Sequence, residues 1–165
     1  MTEHLFYKIK QKSTIRKELL EYAVSVTDWK RPLTFLATLC PKEIYLKDTL
    51  FEKLNEIINP DRLSICIFKI PAKTYYNIHV DYMRTFAFNM LLNDSSNSVS
   101  FFKNSKFEHH QCDITELEYE PDYLYLFNTQ MEHAVLNQGE DRYVLSVRGN
   151  NMYDDALKFV KAINL

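Results

Sequence analysis

From residue 62 to residue 148 the chain is a succession of short alternating runs separated by polar turns, and no other feature limits its fold so strongly. The runs fall at 63–70, 75–80, 85–92, 99–102, 123–127, 133–136 and 143–148. Alternation with a period of two, in segments rich in β-branched and aromatic residues, marks strands half-buried in a sheet. Six or seven such strands in one stretch predict a sandwich or barrel. Eleven tyrosines and eleven phenylalanines add to the preference for sheet.

The first third has a different texture. Ile15, Leu19, Leu20, Ala23 and Val24 recur at helical spacing, which predicts a helix over 15–26 capped by Ser13 or Thr14. A second helix is expected over 47–58, with Leu50, Leu54, Ile57 and Ile58 on one face and Asn59-Pro60 as its stop. Residues 33–39 between them read as a strand. Over 153–163, Ala156, Phe159, Val160 and Ile163 share a face and predict a closing helix. The expectation is one domain over 1–165, mainly β, with a helical part to about 60, a β-core over about 62–150 and the terminal helix.

Composition removes several functional classes. The only glycines are Gly139 and Gly149, so no phosphate loop or dinucleotide fingerprint can be built. Tight turns are then expected to take positive φ from Asn93-Asp94, Asn97 and Asn150-Asn151. A net charge of −2 lacks the basic excess of most nucleic-acid binders, leaving only a local patch for such a partner. Cys40, Cys66 and Cys112 are odd in number, widely spaced and without a CxxC pair, which suits a reducing compartment. The segment Met1-Thr2-Glu3-His4 has no signal-peptide pattern, and no apolar run approaches the ~18 residues of a membrane span. A cytoplasmic location follows as the expectation.

The chemistry concentrates around three residues. His79 and Asp81 stand two apart on an extended segment, which turns both to one face. An imidazole and a carboxylate form a hard nitrogen-and-oxygen pair suited to iron(II), and one more histidine makes a three-ligand face with open positions. His133, which opens an alternating run about fifty residues downstream, is the best third member. His4 is terminal, and His109 and His110 lie in a loop-like context where adjacent residues face opposite ways. A bare HxD pair also reads as a hydrogen-bonded histidine beside a surface aspartate.

Nine residues after His133 comes Arg142, on a run whose Arg142, Val144, Ser146 and Arg148 share a face. Guanidinium binds carboxylate in a fork and stays charged when buried, so Arg142 with Ser146 can grip a dicarboxylate. The alternative is a surface Arg142 paired with Glu140 or Asp141. Arg148 is either a second anchor or a solvent residue.

With these residues in view, the HxD…H pattern followed by an arginine that opens a strand resembles the 2-oxoglutarate and iron(II)-dependent oxygenases. His133-Ala134-Val135-Leu136-Asn137 with Arg142, and His79 to Arg84 leading to Asn89, are similar to the aspartyl/asparaginyl and prolyl hydroxylase branch. The resemblance covers about 62–150. It implies a double-stranded β-helix of the jelly-roll or cupin type. It makes His79, Asp81 and His133 the iron ligands and Arg142 the partner of the distal 2-oxoglutarate carboxylate, with Ser146 in support. It also implies iron(II), 2-oxoglutarate and oxygen as cofactor and co-substrates, ascorbate as an accessory reductant, and an amino acid, peptide or protein as substrate.

Around this centre, Phe86, Phe88 and Met90 share one strand face and Ala87, Asn89 and Leu91 the other, so Asn89 can reach a co-substrate in the cavity on the smaller face. Arg84 binds either a carboxylate or the strand edge. One of Tyr75 and Tyr76 should face the site and the other point away. Asn128 and Thr129 are placed to shape the mouth, and Asn137 to hold the loop before Arg142. Two rival readings stand beside the oxygenase: a cupin-like zinc or nickel isomerase or hydrolase, and a non-catalytic β-sandwich binding module.

Overall fold

The computed structural model describes residues 2–31, 35–55, 57, 65–82, 84–94, 98–103, 113–149 and 151–165. In chain order the elements are β1 (Phe6–Lys12), α1 (Arg16–Ser25), β2 (Leu36–Leu39), α2 (Lys42–Tyr45), α3 (Thr49–Leu54), β3 (Ile65–Ile70), β4 (Thr74–His79) and β5 (Phe86–Leu91). There follow β6 (Ser98–Lys103), β7 (Ile114–Leu117), β8 (Tyr123–Asn128), β9 (His133–Asn137), β10 (Arg142–Gly149) and α4 (Tyr153–Ala162). Six strands form one sheet in the order β1-β8-β5-β10-β3-β2, and four form another in the order β4-β9-β6-β7. All the pairings are antiparallel, and the architecture is the jelly roll expected from the sequence.

The larger sheet is covered on both faces. On one face Ile67, Phe86, Phe88, Met90, Leu126 and Leu145 pack with α1, α3 and α4 into the main core. Each fully buried side chain of this size contributes about 1.5–3 kcal/mol of transfer free energy. The opposite face meets the smaller sheet, where Leu5, Phe102, Leu117, Tyr125 and Phe127 form a second cluster. The central strands β5, β8 and β10 are therefore buried along almost their whole length. The outer strand β4 alternates between half-buried and exposed residues from Thr74 to Asn77, as a strand with one wet face does, and loses the alternation at its end.

The helical part differs from the expectation in ways that have physical causes. Within the stretch 47–58, where one helix is expected, the structure forms α3 at Thr49–Leu54 with Asp48 as its N-cap, and the short α2 at Lys42–Tyr45 precedes it as a separate element; residues 56 and 58 lie outside the described part. Asp48 is buried, and its carboxylate accepts from Leu50 N at 2.9 Å, Thr14 N at 3.0 Å and Ser13 Oγ at 2.7 Å. One side chain thus caps α3 and anchors the entry to α1, a contact between segments that no local pattern announces. Ile15 occupies the N-cap position of α1, and Ser13 serves by accepting from Ile15 N at 3.4 Å. Ile15, Leu19 and Ala23 are buried, while Val24, a residue further round the helix, is 65% exposed. In α4 the expected Ala156 and Val160 are buried, and Ile163 is the C-cap.

Two strands had no forewarning. Four of the seven residues of β1, Phe-Tyr-Lys-Ile-Lys-Gln-Lys, are lysine or glutamine, and only Ile9 is fully buried. Such a segment becomes a strand because β8 offers it a free edge, and its lysines suit an exposed edge position. The short β7 is likewise defined by its pairing with β6. Positive φ occurs at Lys73, Asp122 and Asn164, and not at Asn93, Asp94 or Asn151; Asn97 and Asn150 lie outside the described residues. Asn93 is used differently. Its side chain accepts from Tyr143 N at 2.8 Å and donates to Asp141 O at 2.8 Å, bracketing the start of β10. Among the described residues no helix is long and apolar enough to cross a membrane.

Gly149 pairs with Phe86 across β10 and β5, and a Cβ at this position would overlap the Phe86 ring. Phe86 is itself fully buried and cannot swing aside. Gly149→Ala is therefore expected to lower stability by about 1–3 kcal/mol, the usual cost of an overpacked core. Urea unfolding midpoints of the two proteins measure this, and equal midpoints would show that the ring yields freely.

Candidate metal centre and anion pocket

β4 and β9 run antiparallel, and their register shifts between Tyr76 and His79, so that His79 comes to lie opposite His133. The shift has a consequence for direction. Tyr76 and His79 are three apart, which strict alternation would send to opposite faces, yet both line the same pocket. The imidazole rings of His79 and His133 are 4.3 Å apart between centroids.

Asp81 joins them by a different route from the one the HxD spacing suggested. β4 ends at His79, and Asp81 sits beyond it on a turn. That turn is held by Asp81 N donating to Thr129 O at 2.9 Å and by Gln130 Nε2 donating to Asp81 O at 2.9 Å. His79 Nε2 is 3.6 Å from Asp81 Oδ1, and His133 Nε2 is 4.0 Å from Asp81 Oδ2. Each of the three side chains offers one ligand atom, and these atoms lie within 4.8 Å of one another. His109 and His110 lie outside the described residues. His4 is tied to the far side of the β8 end, its carbonyl accepting from Asn128 Nδ2 at 2.8 Å.

The protonation states suit a cation. His79 Nδ1 lies 2.6 Å from Asn77 O, and His133 Nδ1 lies 2.8 Å from Met131 O. A carbonyl only accepts, so each Nδ1 carries a proton and each Nε2 is left facing Asp81. Burial pushes the His133 imidazole down to about 4, with repulsion from His79 adding to the effect, so it is neutral at pH 7. Burial also pulls the His79 imidazole down, but bonding to Asp81 and to the Asn77 carbonyl outweighs it and leaves the group above its ordinary value. Burial would raise the Asp81 carboxyl; the His79 bond and the Arg84 charge overcome this and hold it below the usual carboxylate range. The Nε2 atoms of two imidazoles and an ionised carboxylate, without a thiolate, form a donor set that fits iron(II).

The same pocket is lined by Arg142, Asn89, Arg84 and Ser146 along with His79 and His133. Arg142 is 1% exposed. Its Nη1 donates to Ser98 Oγ at 2.8 Å and its Nη2 to Ser100 Oγ at 2.8 Å, both across from β10 on β6. The Tyr119 ring lies 5.5 Å from its Cζ, with its phenol near Asn89 and Ser100. No carboxylate pairs with Arg142 among the described residues. The neighbouring Asp141 is instead engaged by Lys69 at 2.7 Å. Arg142 Nε and Asn89 Oδ1 are buried without a hydrogen-bond partner. A buried guanidinium with hydroxyls but no counter-charge is a site for an anion.

Ser146 shares the pocket face of β10 with Arg142, but its hydroxyl accepts from Arg84 Nη1 at 3.2 Å. Arg84 Nε donates to Asp81 Oδ2 at 2.6 Å. The hydroxyls bonded to Arg142 are those of Ser98 and Ser100, which the sequence reading did not single out. Ser100 lies on the strand predicted over 99–102 and Ser98 immediately before it, and their spacing of two was the available signal. Tyr119, on an irregular stretch before β8, carried none. Tyr76 faces the pocket and Tyr75 is 52% exposed. Arg148, at the far end of β10, lies opposite Ala87. Thr129 Oγ1 donates to Arg84 O at 2.7 Å, and Asn137 Nδ2 holds the carbonyls of Ile70, Pro71 and Glu140 at 2.8–3.0 Å.

No protein-family model matches the chain, and no curated protein matches its sequence. Its structure is similar to a Pseudomonas putida prolyl-4-hydroxylase, with a TM-score of 0.62 and 12% identity over 88% of this chain and 91% of that one. It is also similar to a prolyl hydroxylase of Trichoplax adhaerens solved in complex with a hypoxia inducible factor oxygen degradation domain peptide fragment. There the TM-score is 0.60 and the identity 13%, over 97% of this chain and 86% of that one. The chain thus has a prolyl-hydroxylase-like fold.

The His133 imidazole sets a pH dependence. Its folded value lies below the ordinary 6.5, so the unfolded chain takes up the proton first. Its contribution to stability is complete above about 6.5 and is lost as the pH falls toward about 4. Metal-free wild type is expected to lose on the order of 2–3 kcal/mol more across that window than His133→Gln. Urea midpoints at pH 7 and pH 4 give the comparison, and parallel losses would contradict it.

Proposed function

We propose that the protein is a 2-oxoglutarate- and iron(II)-dependent oxygenase that hydroxylates an amino acid or a side chain of a peptide or protein. The observation that carries this reading is the coexistence, in one pocket, of the His79–Asp81–His133 cluster and a buried Arg142 without a counter-charge. A metal centre alone is common to many chemistries. A buried cation facing the same space adds the need for an anionic co-substrate, which a zinc or nickel cupin enzyme does not have. A binding module without catalysis requires neither.

In this reading His79 and His133, through Nε2, and Asp81 hold the iron on one face. Arg142 binds the distal carboxylate of 2-oxoglutarate, with Ser98 and Ser100 holding the guanidinium fork in place and Tyr119 and Asn89 closing the end of the pocket. Arg84 and Ser146 form the wall between the metal ligands and this anion subsite. Phe35, Phe68, Ile70, Tyr76, Val135 and Val144 line the remainder and keep water out. When bound, iron(II) and 2-oxoglutarate supply the oxidising chemistry, in which oxygen is consumed, succinate and carbon dioxide are released and a substrate C–H bond is hydroxylated. The protein's contribution is geometry, charge and dryness. A peptide or protein substrate draws support from the peptide bound to the Trichoplax neighbour.

Anaerobic addition of iron(II) and 2-oxoglutarate is expected to produce a visible charge-transfer band, and a folded protein that takes up iron without the band would refute the reading. Arg142→Ala is expected to weaken 2-oxoglutarate binding by about thirty-fold or more, since truncating one partner of a buried charge pair costs about 2 kcal/mol at least. Unchanged binding would remove Arg142 from the site. Succinate release screened against amino acids, peptides and nucleic acids then identifies the substrate class.

A further inference from the structure

Asp81 is the one member of the metal cluster that no strand holds. His79 and His133 are fixed by the pairing of β4 and β9, and each is locked by a bond from Nδ1 to a carbonyl. Asp81 lies past the end of β4, so its carboxylate must be oriented by something other than strand geometry. Arg84 is the group in contact with it. The guanidinium Nε donates to Asp81 Oδ2 at 2.6 Å, and Nη1 reaches Ser146 Oγ on β10 at 3.2 Å. The Arg84 backbone is anchored as well, its carbonyl accepting from Thr129 Oγ1 at 2.7 Å and from Gln130 Nε2 at 2.8 Å. Thr129 is fully buried, and its carbonyl in turn accepts from Asp81 N at 2.9 Å. Asp81 and Arg84 therefore form a closed loop of bonds, pinned to β10 at one end and to the turn after β8 at the other.

Resting on the metal-centre reading above, we propose that Arg84 is the positioning residue of that centre. Its guanidinium engages Oδ2 and presents Oδ1 of Asp81 to the cation as a single donor. Chelation through both oxygens would consume a further coordination position, and a planar, permanently charged fork on Oδ2 opposes it. The two arginines of the pocket then divide their duties. Arg84 is committed to the metal ligand, and Arg142 alone is left for the anion. Ser146 belongs with Arg84: it holds the guanidinium against Asp81 from the strand that also carries Arg142.

The test is cobalt(II) binding to the full chain, followed by its visible absorption and by titration, in wild type, Arg84→Gln, Arg84→Lys and His133→Ala. Loss of an outer partner of a metal ligand typically costs about 10–100-fold in metal affinity, and Arg84→Gln is expected to fall in that range with an altered cobalt spectrum. Arg84→Lys keeps a charge on the carboxylate but has no fork to reach Ser146 as well, so its affinity should lie between the two. Affinity of the cobalt-loaded Arg84→Gln protein for 2-oxoglutarate should stay within about threefold of wild type, since Arg142 is intact. The proposal is overturned if Arg84→Gln binds cobalt within about twofold of wild type with the same spectrum, or if its loss is confined to 2-oxoglutarate. Cobalt binding that survives His133→Ala unchanged overturns the metal-centre reading itself, and this inference with it. Should Arg84→Gln fail to fold, Arg84→Lys decides the question by the same two readouts.

Discussion

The eight residues of β10 bury both of their faces at once, and most of the molecule is arranged around that fact. Leu145 and Val147 enter the core beneath the helices, while Arg142, Val144 and Ser146 turn toward the smaller sheet and line the pocket. A strand that is apolar on one face and carries a guanidinium on the other can exist only where a second layer supplies polar partners. Ser98 and Ser100 of β6 are those partners, and their bonds to Arg142 join the two sheets across the pocket.

Burying a cation without a counter-charge is unfavourable by several kcal/mol, even after hydroxyls have taken part of the load. Desolvation accordingly depresses the Arg142 guanidinium below its ordinary value, although it remains charged. In the proposed function the anionic co-substrate would supply that counter-charge.

The architecture was legible from residues 63 to 148 because strand alternation is a local signal, and seven of the ten strands appear there or nearby at about the expected places. β1 was hidden because its lysines and glutamine mask a pattern that only pairing with β8 reveals, and the start of α3 at Thr49 was hidden because its cap, Asp48, finds further partners at Ser13 and Thr14, far away in the chain. In the site, His79, Asp81, His133, Arg142, Ser146, Asn89 and Arg84 were named from spacing and resemblance. Six of them line one pocket and Asp81 lies against its two histidines, but with bonds that spacing did not foretell: Arg84 with Asp81, Ser146 with Arg84, and Arg142 with Ser98 and Ser100.

The sequence by itself determined which side chains share a face in the regular strands, because alternation there depends only on the backbone, and it supplied side chains whose chemistry suits metal and anion binding. What it left open was every relation between strands. The register shift that turns His79 toward His133, the turn that carries Asp81 beyond the end of β4, and the hydroxyls that reach Arg142 from the facing sheet all arise from packing one sheet on another. Such relations depend on residues tens of positions apart meeting at bonding distance, and only the folded chain sets that distance.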